Sequence, residues 1–328
     1  MHVLVTGGAG YIGSCTVEAL LARGDAVTVL DNLSTGHAAA LFPEAAFHEA
    51  DLLDTVRVTE ILRAARPEAV VHFAAFSLVG ESVADPAKYL RNNVGGTVSL
   101  LEAMRAAGVE KLVFSSTAAV YGEPESVPIT EDHRAAPSNP YGLTKRFMEQ
   151  AMDACAAAYG LRHVCLRYFN AAGATAQRGE AHACETHLIP IVLQVALGQR
   201  EHVQIFGDDY DTPDGTCVRD YIHVEDLAAA HLLALDYLRA GGGPLVCNLG
   251  NGNGYSVREV IAVCREVTGH AIPAVAAPRR PGDPARLVAS SARAQQVLGW
   301  QPRKPSLREI VEDAWRWHRA NPQGYTVP

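Results

Sequence analysis

Near its N-terminus the chain places three spaced glycines between an apolar run and a helix-like segment. Gly7, Gly10 and Gly13 follow the run HVLVTG in a G-x-x-G-x-x-G spacing, and the segment YIGSCTVEALLARG continues with helical periodicity. Glycine permits a tight turn and lets a backbone approach a bound group closely. This order of strand, turn and helix predicts a β–α–β unit whose first helix points its N-terminus at an anion.

The next apolar run, AVTVLD, ends in Asp31, which is followed by Asn32. An acidic side chain about 20 residues after such a turn binds the ribose hydroxyls of a dinucleotide and repels a 2′-phosphate. The neighbouring residues include no arginine that would accept that phosphate. The turn and Asp31 together predict a dinucleotide site that favours NAD over NADP.

Strand-like and helix-like segments alternate through the first half of the chain. Alternation of this kind predicts an α/β fold with a Rossmann-type, doubly wound parallel sheet. From about residue 171 the pattern loosens into long segments rich in Gly, Pro and Asp, which are typical of functional or covering elements. We therefore expect an NAD-binding domain over residues 1–170 with a returning segment near 220–250. A smaller C-terminal, substrate-binding α/β domain is expected mainly over residues 171–328.

Composition excludes several classes of protein. The 328 residues carry a formal net charge of -8 and no basic run, which argues against a nucleic-acid partner. The seven cysteines show no CxxC spacing, as expected for reduced thiols in a cytoplasmic protein. We find no signal peptide and no apolar run of the roughly 18 residues needed for a membrane span. No metal site is expected either.

The stretch SNPYGLTK places Tyr141 four residues before Lys145 at a predicted helix start, where Ser138 or Asn139 is the candidate cap. Residues four apart lie on one helix face, so the hydroxyl and the ammonium can point at the same spot. The structural alternative is a packed tyrosine beside a surface lysine. Next to bound NAD, however, the ammonium and the cationic nicotinamide would favour a phenolate that takes the proton of a secondary alcohol.

A hydroxyl that helps hold the reacting oxygen is also expected. The run KLVFSST ends the preceding predicted strand, and either Ser116 or Thr117 is a candidate for this hydrogen bond. Simple capping of the strand end is the alternative for both residues.

The chain resembles the extended short-chain dehydrogenase/reductases and, within them, the UDP-glucose 4-epimerase family over nearly its whole length. The resemblance rests on motifs that occur together, in order and at sensible intervals. They are VTGGAGYIGSCTV, DNLSTG, HFAAFSLVGES, NNVGGT, FSSTAAVYG, NPYGLTK, RYFNAAGA, HLIP, FGDDYDTPDGTCVRDYIHVEDLA, NLGNGNGYSV and RRPGDPARLVASS.

The resemblance implies roles for individual residues. It implies Tyr141 as the catalytic acid/base, Lys145 as its electrostatic partner and ribose contact, and Thr117 as the third catalytic residue. The implied cofactor-binding set is Gly7, Gly10, Tyr11, Ile12, Gly13, Asp31, Asn32, Asp51, Leu52, Phe73, Ala74, Ala75, Asn92, Ser115, Tyr141, Lys145 and Tyr168. The implied substrate-binding set is Thr117, Tyr141, Asn170, Leu188, Phe206, Arg219, Arg280 and Asp283.

Three positions depart from the family pattern. Ser77 stands where some members have a lysine that contacts the cofactor, and His187 stands where others have asparagine. We interpret His187 as a polar wall residue, not as a base. Leu287 occupies the position whose size decides whether an N-acetyl group fits beside the sugar, and leucine is intermediate in size.

The implied reaction is the reversible 4-epimerisation of UDP-galactose and UDP-glucose with tightly bound NAD. The C4 carbon is transiently oxidised, the 4-keto sugar rotates, and the hydride returns to its other face. The family also implies a homodimer through the helices around residues 86–107 and 141–159, and a UDP-hexose as the substrate.

Other functions stay open at this point. Another UDP-sugar, such as a UDP-N-acetylhexosamine, UDP-pentose or UDP-uronate, would keep the same mechanism. A 4,6-dehydratase is disfavoured because Ala118 and Ala119, not two carboxylates, follow Thr117. A dehydrogenase that releases NADH and a non-catalytic NAD-sensing regulator are the remaining alternatives.

Overall fold

Strands and helices alternate through the first half of the chain, as the sequence predicts. The computed structural model describes residues 1–280 and 283–325, so residues 326–328 of the predicted second domain lie outside it. The strands are β1 His2–Thr6, β2 Ala26–Asp31, β3 Ala46–Glu49, β4 Ala69–His72, β5 Lys111–Thr117, β6 Arg162–Tyr168, β7 Asn170–Ala172, β8 Val203–Phe206, β9 Val218–Arg219, β10 Tyr221–His223, β11 Leu245–Leu249, β12 Tyr255–Ser256, β13 Ala274–Ala277 and β14 Arg286–Leu287.

Helices connect these strands. The α-helices are α1 Tyr11–Ala22, α2 Thr55–Ala65, α3 Val79–Ala84, α4 Pro86–Tyr89, α5 Gly96–Ala107, α6 Pro140–Tyr159, α7 Leu188–Ala196, α8 Val224–Arg239, α9 Val257–Thr268 and α10 Leu307–Ala320. Shorter 3-10 turns cover Ala38–Ala40 and Ala118–Val120, and π-helical segments cover Leu90–Gly95 and Ala294–Leu298.

The central sheet is seven-stranded and parallel, in the order β11-β6-β5-β4-β1-β2-β3. Chain order reverses beside β1, which pairs with β2 on one side and with β4 on the other. Parallel strands bring their carboxyl ends to one edge, and ligands bind at the crevice where the order reverses. The sheet thus confirms the Rossmann-type fold and aligns the residues that follow β1, β2, β4 and β5.

Helices cover both faces of this sheet because neighbouring strand residues point to opposite sides. Val3 and Val5 of β1 pack in one core with α1 and α8. Leu4, between them, packs in a second core with α2, α5 and α6. All three β1 side chains are fully buried, which explains the continuous apolar run at the N-terminus.

The segment predicted as one long helix from Pro86 contains a wider turn. α4 passes into the π-helical segment Leu90–Gly95 and then into α5. The Asn93 side chain is turned inward there, where its Oδ1 accepts a hydrogen bond from Phe76 N at 2.9 Å and its Nδ2 donates to Phe76 O at 3.0 Å. Single π turns occur often at functional sites, and this one fastens the loop after β4.

The rest of the chain forms a smaller part beside the carboxyl edge of the sheet. Its own core joins α7, α9 and α10 with residues of β8 and β10. Two-stranded pairings β7–β10 and β8–β13, and the three-stranded sheet β12-β9-β14, lie in the same part of the chain. Among the described residues, none of the helices combines the length and the apolar character needed to cross a membrane.

Candidate active site

A cleft of about 1590 Å³ runs between the carboxyl edge of the sheet and the smaller part. Pockets for one small ligand usually measure about 300–1,000 Å³, so this cleft has room for two extended ligands. The structure brings every residue of the predicted sites to its wall. These are Gly7, Gly10, Tyr11, Ile12, Gly13, Asp31, Asn32, Asp51, Leu52, Phe73, Ala74, Ala75, Asn92, Ser115, Thr117, Tyr141, Lys145, Tyr168, Asn170, Leu188, Phe206, Arg219, Arg280 and Asp283.

The glycine turn between β1 and α1 is built so that each glycine serves a different need. Gly7 has a φ of +72°, and a Cβ on it would lie 2.7 Å from Ala74 N. A Cβ on Gly13 would lie 2.1 Å from Gly7 O, so α1 could not pack on the turn. A Cβ on Gly10 would meet only Gly7 O, at 3.3 Å, on the protein side. Gly10 therefore leaves open space in the cleft itself, which fits the close approach of a pyrophosphate.

Asp31 at the end of β2 has a structural task besides the predicted one. Its Oδ2 accepts a hydrogen bond from Ala9 N at 3.0 Å and its Oδ1 accepts one from Leu33 N at 2.9 Å. Burial raises the pKa of this carboxyl group, and the backbone donors oppose that rise. Asn32 beside it donates through Nδ2 to Asp51 Oδ2 at 2.9 Å. The acidic side chain that faces the ribose position thus also orders the glycine turn.

Tyr141 and Lys145 lie on the first turns of α6, where the Asn139 side chain caps the helix by accepting from Gly142 N at 2.9 Å. Lys145 is buried, and its Nζ donates to Ser115 O at 2.8 Å. The Thr117 hydroxyl accepts a hydrogen bond from Ala119 N at 3.1 Å and lines the same cleft as Tyr141. Thr117 therefore caps the strand end, which was its structural alternative, and its catalytic role stays a prediction.

Ser116, the alternative hydroxyl, faces away from Tyr141. Its Oγ donates to Glu149 Oε1 at 2.6 Å, inside a buried group of polar side chains. Arg167 donates to the same carboxylate through Nε at 2.8 Å and through Nη2 at 2.6 Å. Sequence reasoning missed this pair, because no local spacing links Glu149 to Arg167, 18 residues later. The pair fixes α6 against β6, one turn below the Tyr141 and Lys145 positions.

Burial is the largest influence on the pKa values of Tyr141 and Lys145. It raises the pKa of Tyr141 to about 12, although the hydrogen bond with Thr117 lowers it. It also lowers the pKa of Lys145 to about 7, against the carboxylate of Glu149 that raises it. The expected preference for a phenolate is therefore not a property of the polypeptide alone. The loss of hydration opposes the phenolate and the ammonium alike.

The predicted substrate side carries the two arginines. Arg219 lies in β9, where its Nη1 donates to Pro284 O at 2.8 Å and its Nη2 lies 3.5 Å from Asp283 Oδ1. The Arg280 guanidinium carbon stacks 4.0 Å from the centroid of the Phe206 ring. Asn170 Nδ2 donates to Asp220 O at 2.9 Å, which joins the start of β7 to the residue before β10. A guanidinium group on an aromatic ring forms a surface suited to a base and its phosphates.

The three departures from the family pattern also line the cleft. Ser77 follows β4, Leu287 ends β14, and His187 directly precedes α7. The Nδ1 atom of His187 lies 2.8 Å from Glu180 Oε1 and 2.9 Å from Glu185 Oε1. This imidazole is thus held by carboxylates and does not stand as a free base at the reacting centre.

The open space at Gly10 generates a prediction. In Gly10→Ala we expect NAD affinity to fall roughly tenfold or more, because the methyl group occupies the pyrophosphate position. The free energy of unfolding of the nucleotide-free protein should change by less than about 1 kcal/mol, since only Gly7 O must shift. Calorimetric titration with NAD and urea unfolding measure the two quantities. Gly13→Ala is the matched variant, which should lose stability instead; unchanged affinity in Gly10→Ala would contradict the assignment.

The burial of Lys145 predicts a pH-dependent stability. The folded pKa is depressed from 10.5 to about 7, so between these values the unfolded chain holds a proton that the folded chain lacks. Stability therefore rises with pH through that window, and the penalty is full below pH 7. Nucleotide-free Lys145→Met should be more stable than the parent by about 2–5 kcal/mol at pH 6.5 and by about 1 kcal/mol at pH 9.5.

Urea unfolding at the two pH values measures this difference. Lys88→Met is the control, because Lys88 is exposed and pairs with Glu81 at the surface. Its effect should stay below about 1 kcal/mol at both pH values. Equal stability of Lys145→Met and the parent at pH 6.5 would show that Lys145 carries no burial penalty.

Comparison with known proteins agrees with the fold. The model of the NAD dependent epimerase/dehydratase family matches residues 3–250. A UDP-glucose 4-epimerase of Halalkalibacterium halodurans is 58% identical over 100% of this chain and 98% of its own length.

Solved structures give the same result. The Brucella ovis UDP-glucose 4-epimerase in complex with NAD is 49% identical and covers 96% of this chain and 98% of its own, with a TM-score of 0.94. The Bifidobacterium longum UDP-glucose 4-epimerase in complex with NAD+ and UDP is 40% identical. The match covers 99% of this chain and 100% of that one, with a TM-score of 0.94. The chain therefore belongs to the NAD dependent epimerase/dehydratase family, among its UDP-glucose 4-epimerases.

Proposed function

We propose that Tyr141 is the acid/base that interconverts UDP-galactose and UDP-glucose at C4 in this cleft. The observation that carries the proposal is that Tyr141, Thr117 and Lys145 line one cleft, which continues from the glycine turn to Arg219 and Arg280. A group that moves a proton therefore lies between a dinucleotide site and a diphosphate site.

The glycine turn and Asp31 fit NAD as the resident cofactor. The space in front of Gly10 accommodates the pyrophosphate, and the buried Asp31 faces the ribose hydroxyls. When bound, NAD supplies a hydride acceptor and a positive charge near Tyr141. Tightly held NAD with no net redox change over a cycle is part of the proposal.

The chain's own residues handle the proton. Tyr141 removes the proton of the sugar 4-OH and returns it to the oxygen of the 4-keto sugar from the other face. Thr117 holds that oxygen and the phenol together through its hydroxyl. Lys145 is fixed by the hydrogen bond from its Nζ to Ser115 O, and in its protonated form it favours the ionised phenol. Water elimination is disfavoured because Ala118 and Ala119 offer no carboxyl group.

The diphosphate end of the substrate carries the binding energy in this proposal. Arg219 and Arg280 match phosphate oxygens, and Phe206 offers a face for the uracil ring. Asn170, Leu188 and Asp283 complete the contacts. When binding energy comes from a part that does not react, the sugar is free to turn and present its second face.

We also propose the wider setting of the enzyme. Residues 1–170 with the segment near 220–250 hold the cofactor, and the remainder mainly holds the UDP-sugar. A cytoplasmic place in galactose metabolism is supported by the seven cysteines, all of which are free thiols.

A homodimer is supported by exposed apolar side chains on α3, α5, α6 and the preceding π turn. They are Val83, Leu90, Val98, Leu143 and Phe147.

Proton NMR of the purified protein with UDP-galactose and no added cofactor tests the function. UDP-glucose should appear without any 4-keto-6-deoxy sugar, because NAD stays bound through the cycle. Conversion of only UDP-N-acetylgalactosamine or a UDP-pentose would support the same mechanism with a different substrate. Leu287 would then be the first residue to vary. A need for stoichiometric external NAD would contradict tight retention.

Tyr141→Phe tests the acid/base assignment. Bound NAD should be retained, and turnover of UDP-galactose should fall by about 10²–10⁴, the usual contribution of one acid/base group. Tyr159→Phe, at the far end of the same helix, is the control and should keep turnover. Turnover that is equal in the parent and in Tyr141→Phe would remove Tyr141 from the mechanism.

A further inference from the structure

A cluster of two carboxylates and two imidazoles lies in the loop between β7 and α7. Its members are Glu180, His182, Glu185 and His187, spaced as E-x-H-x-x-E-x-H. One ligand atom of each residue lies within 4.8 Å of every other. Apart from His187, these residues belong to none of the motifs used above. The proposed epimerisation does not use them, so their arrangement needs a separate explanation.

The four side chains converge on one point. Glu180 Oε1 lies 2.8 Å from His187 Nδ1 and 3.3 Å from His182 Nδ1. Glu185 approaches the same two atoms, with Oε1 at 2.9 Å from His187 Nδ1 and Oε2 at 3.3 Å from His182 Nδ1. Ligand atoms around a tetrahedral zinc ion with bonds of ~2.0–2.1 Å are separated by roughly 3.3 Å. Two of the four nitrogen–oxygen distances equal that separation, and the two to His187 Nδ1, at 2.8 and 2.9 Å, are shorter.

Hydrogen bonds alone do not account well for this arrangement of imidazoles and carboxylates. Each imidazole offers one proton at Nδ1, yet each Nδ1 atom faces oxygens of both carboxylates. Four nitrogen–oxygen approaches therefore compete for two protons. A single cation at the centre accepts a lone pair from every ligand atom at once, and it neutralises two carboxylates that are otherwise close together.

The carboxylates are buried and oriented by their surroundings. The Glu180 and Glu185 side chains are only 5% and 4% exposed, which separates them from ordinary surface acids. Thr186 N and His187 N each donate to Glu185 Oε1 at 2.8 Å. Backbone hydrogen bonds of this kind hold a ligating carboxylate in one orientation.

We propose that Glu180, His182, Glu185 and His187 bind one divalent zinc ion. Two imidazole nitrogens and two carboxylate oxygens in a compact arrangement suit zinc, whereas magnesium and calcium take oxygen ligands. With four protein ligands the site is closed, which is typical of a structural zinc site and not of a catalytic one.

The position of the loop gives the ion a structural task. His37 Nε2 lies 2.8 Å from Ala181 O, and Arg178 Nε donates to Ala40 O at 2.9 Å. These bonds tie the loop to the segment between β2 and β3. Tyr11 on the glycine turn donates to Gly173 O at 2.7 Å, at the start of the same loop. The ion thus fixes the shape of a loop that lies against both the glycine turn and the segment after β2.

Metal analysis of the NAD-loaded protein tests the site. Protein purified without a nickel column or chelator should contain about one zinc per chain by plasma mass spectrometry. After zinc is removed with dipicolinate, titration against a chromogenic chelator should give one site in the parent. His182→Ala and the isosteric Glu185→Gln should each weaken it by roughly 100-fold or more.

Two variants serve as controls. Cys184→Ser removes the exposed thiol inside the same loop, and His202→Ala removes a cleft histidine outside the cluster. Both should keep the zinc, and the circular dichroism and NAD content of every variant should match the parent. Zinc should also slow amide exchange over residues 179–187 in the stripped parent but not in His182→Ala.

Three results would overturn the proposal. The first is an absence of zinc with no site in the titration, which would leave two imidazolium–carboxylate pairs. The second is equal zinc affinity in the parent and both ligand variants. The third is loss of the zinc in Cys184→Ser, which would place the ion on the thiol.

Discussion

The cleft depends on the close packing of α1 against the turn that precedes it. A Cβ on Gly13 would lie 2.1 Å from Gly7 O, so this contact requires glycine at position 13. It allows the helix to begin directly at the end of β1, with its free N–H groups toward the cleft. Asp31 then binds Ala9 N from the neighbouring strand and fixes the same turn from the other side. Two adjacent strand ends are thereby joined around one anion position.

The sequence was enough to predict the sheet, the glycine turn and the placement of Tyr141 and Lys145 at the start of one helix that borders the cleft. Each depends on local spacing: alternating periodicity, glycines three apart, and residues four apart on a helix. The pairing of Glu149 with Arg167 was not predictable, because it joins side chains 18 residues apart through burial that no local pattern reports. The π turn at Leu90–Gly95 was missed for a similar reason, since the inward Asn93 bonds Phe76, in the loop after β4, 17 residues earlier.

The proton affinity of Lys145 is a property that sequence spacing does not predict. Position alone suggests an ammonium ready to stabilise a phenolate, whereas burial favours the neutral amine. The Glu149 carboxylate one turn away opposes that tendency and raises the lysine pKa. Glu149 is itself held by Arg167. This buried ion pair therefore influences the protonation of Lys145 without a direct contact to it. An apolar residue in this pocket would carry no such burial penalty, which supports the chemical role proposed for the lysine.

The short pairing of β7 with β10 closes the base of the whole excursion from residue 173 to residue 220. Asn170, Ala171 and Ala172 pair with Tyr221, Ile222 and His223, so the two ends of the excursion are held one strand spacing apart, about 4.8 Å. The entropy of closing such a loop grows only slowly with its length. Residues inserted within the excursion would therefore leave the strand order of the central sheet intact. This excursion, which carries part of the proposed UDP-sugar site, is thus free to diversify while the central sheet stays constant.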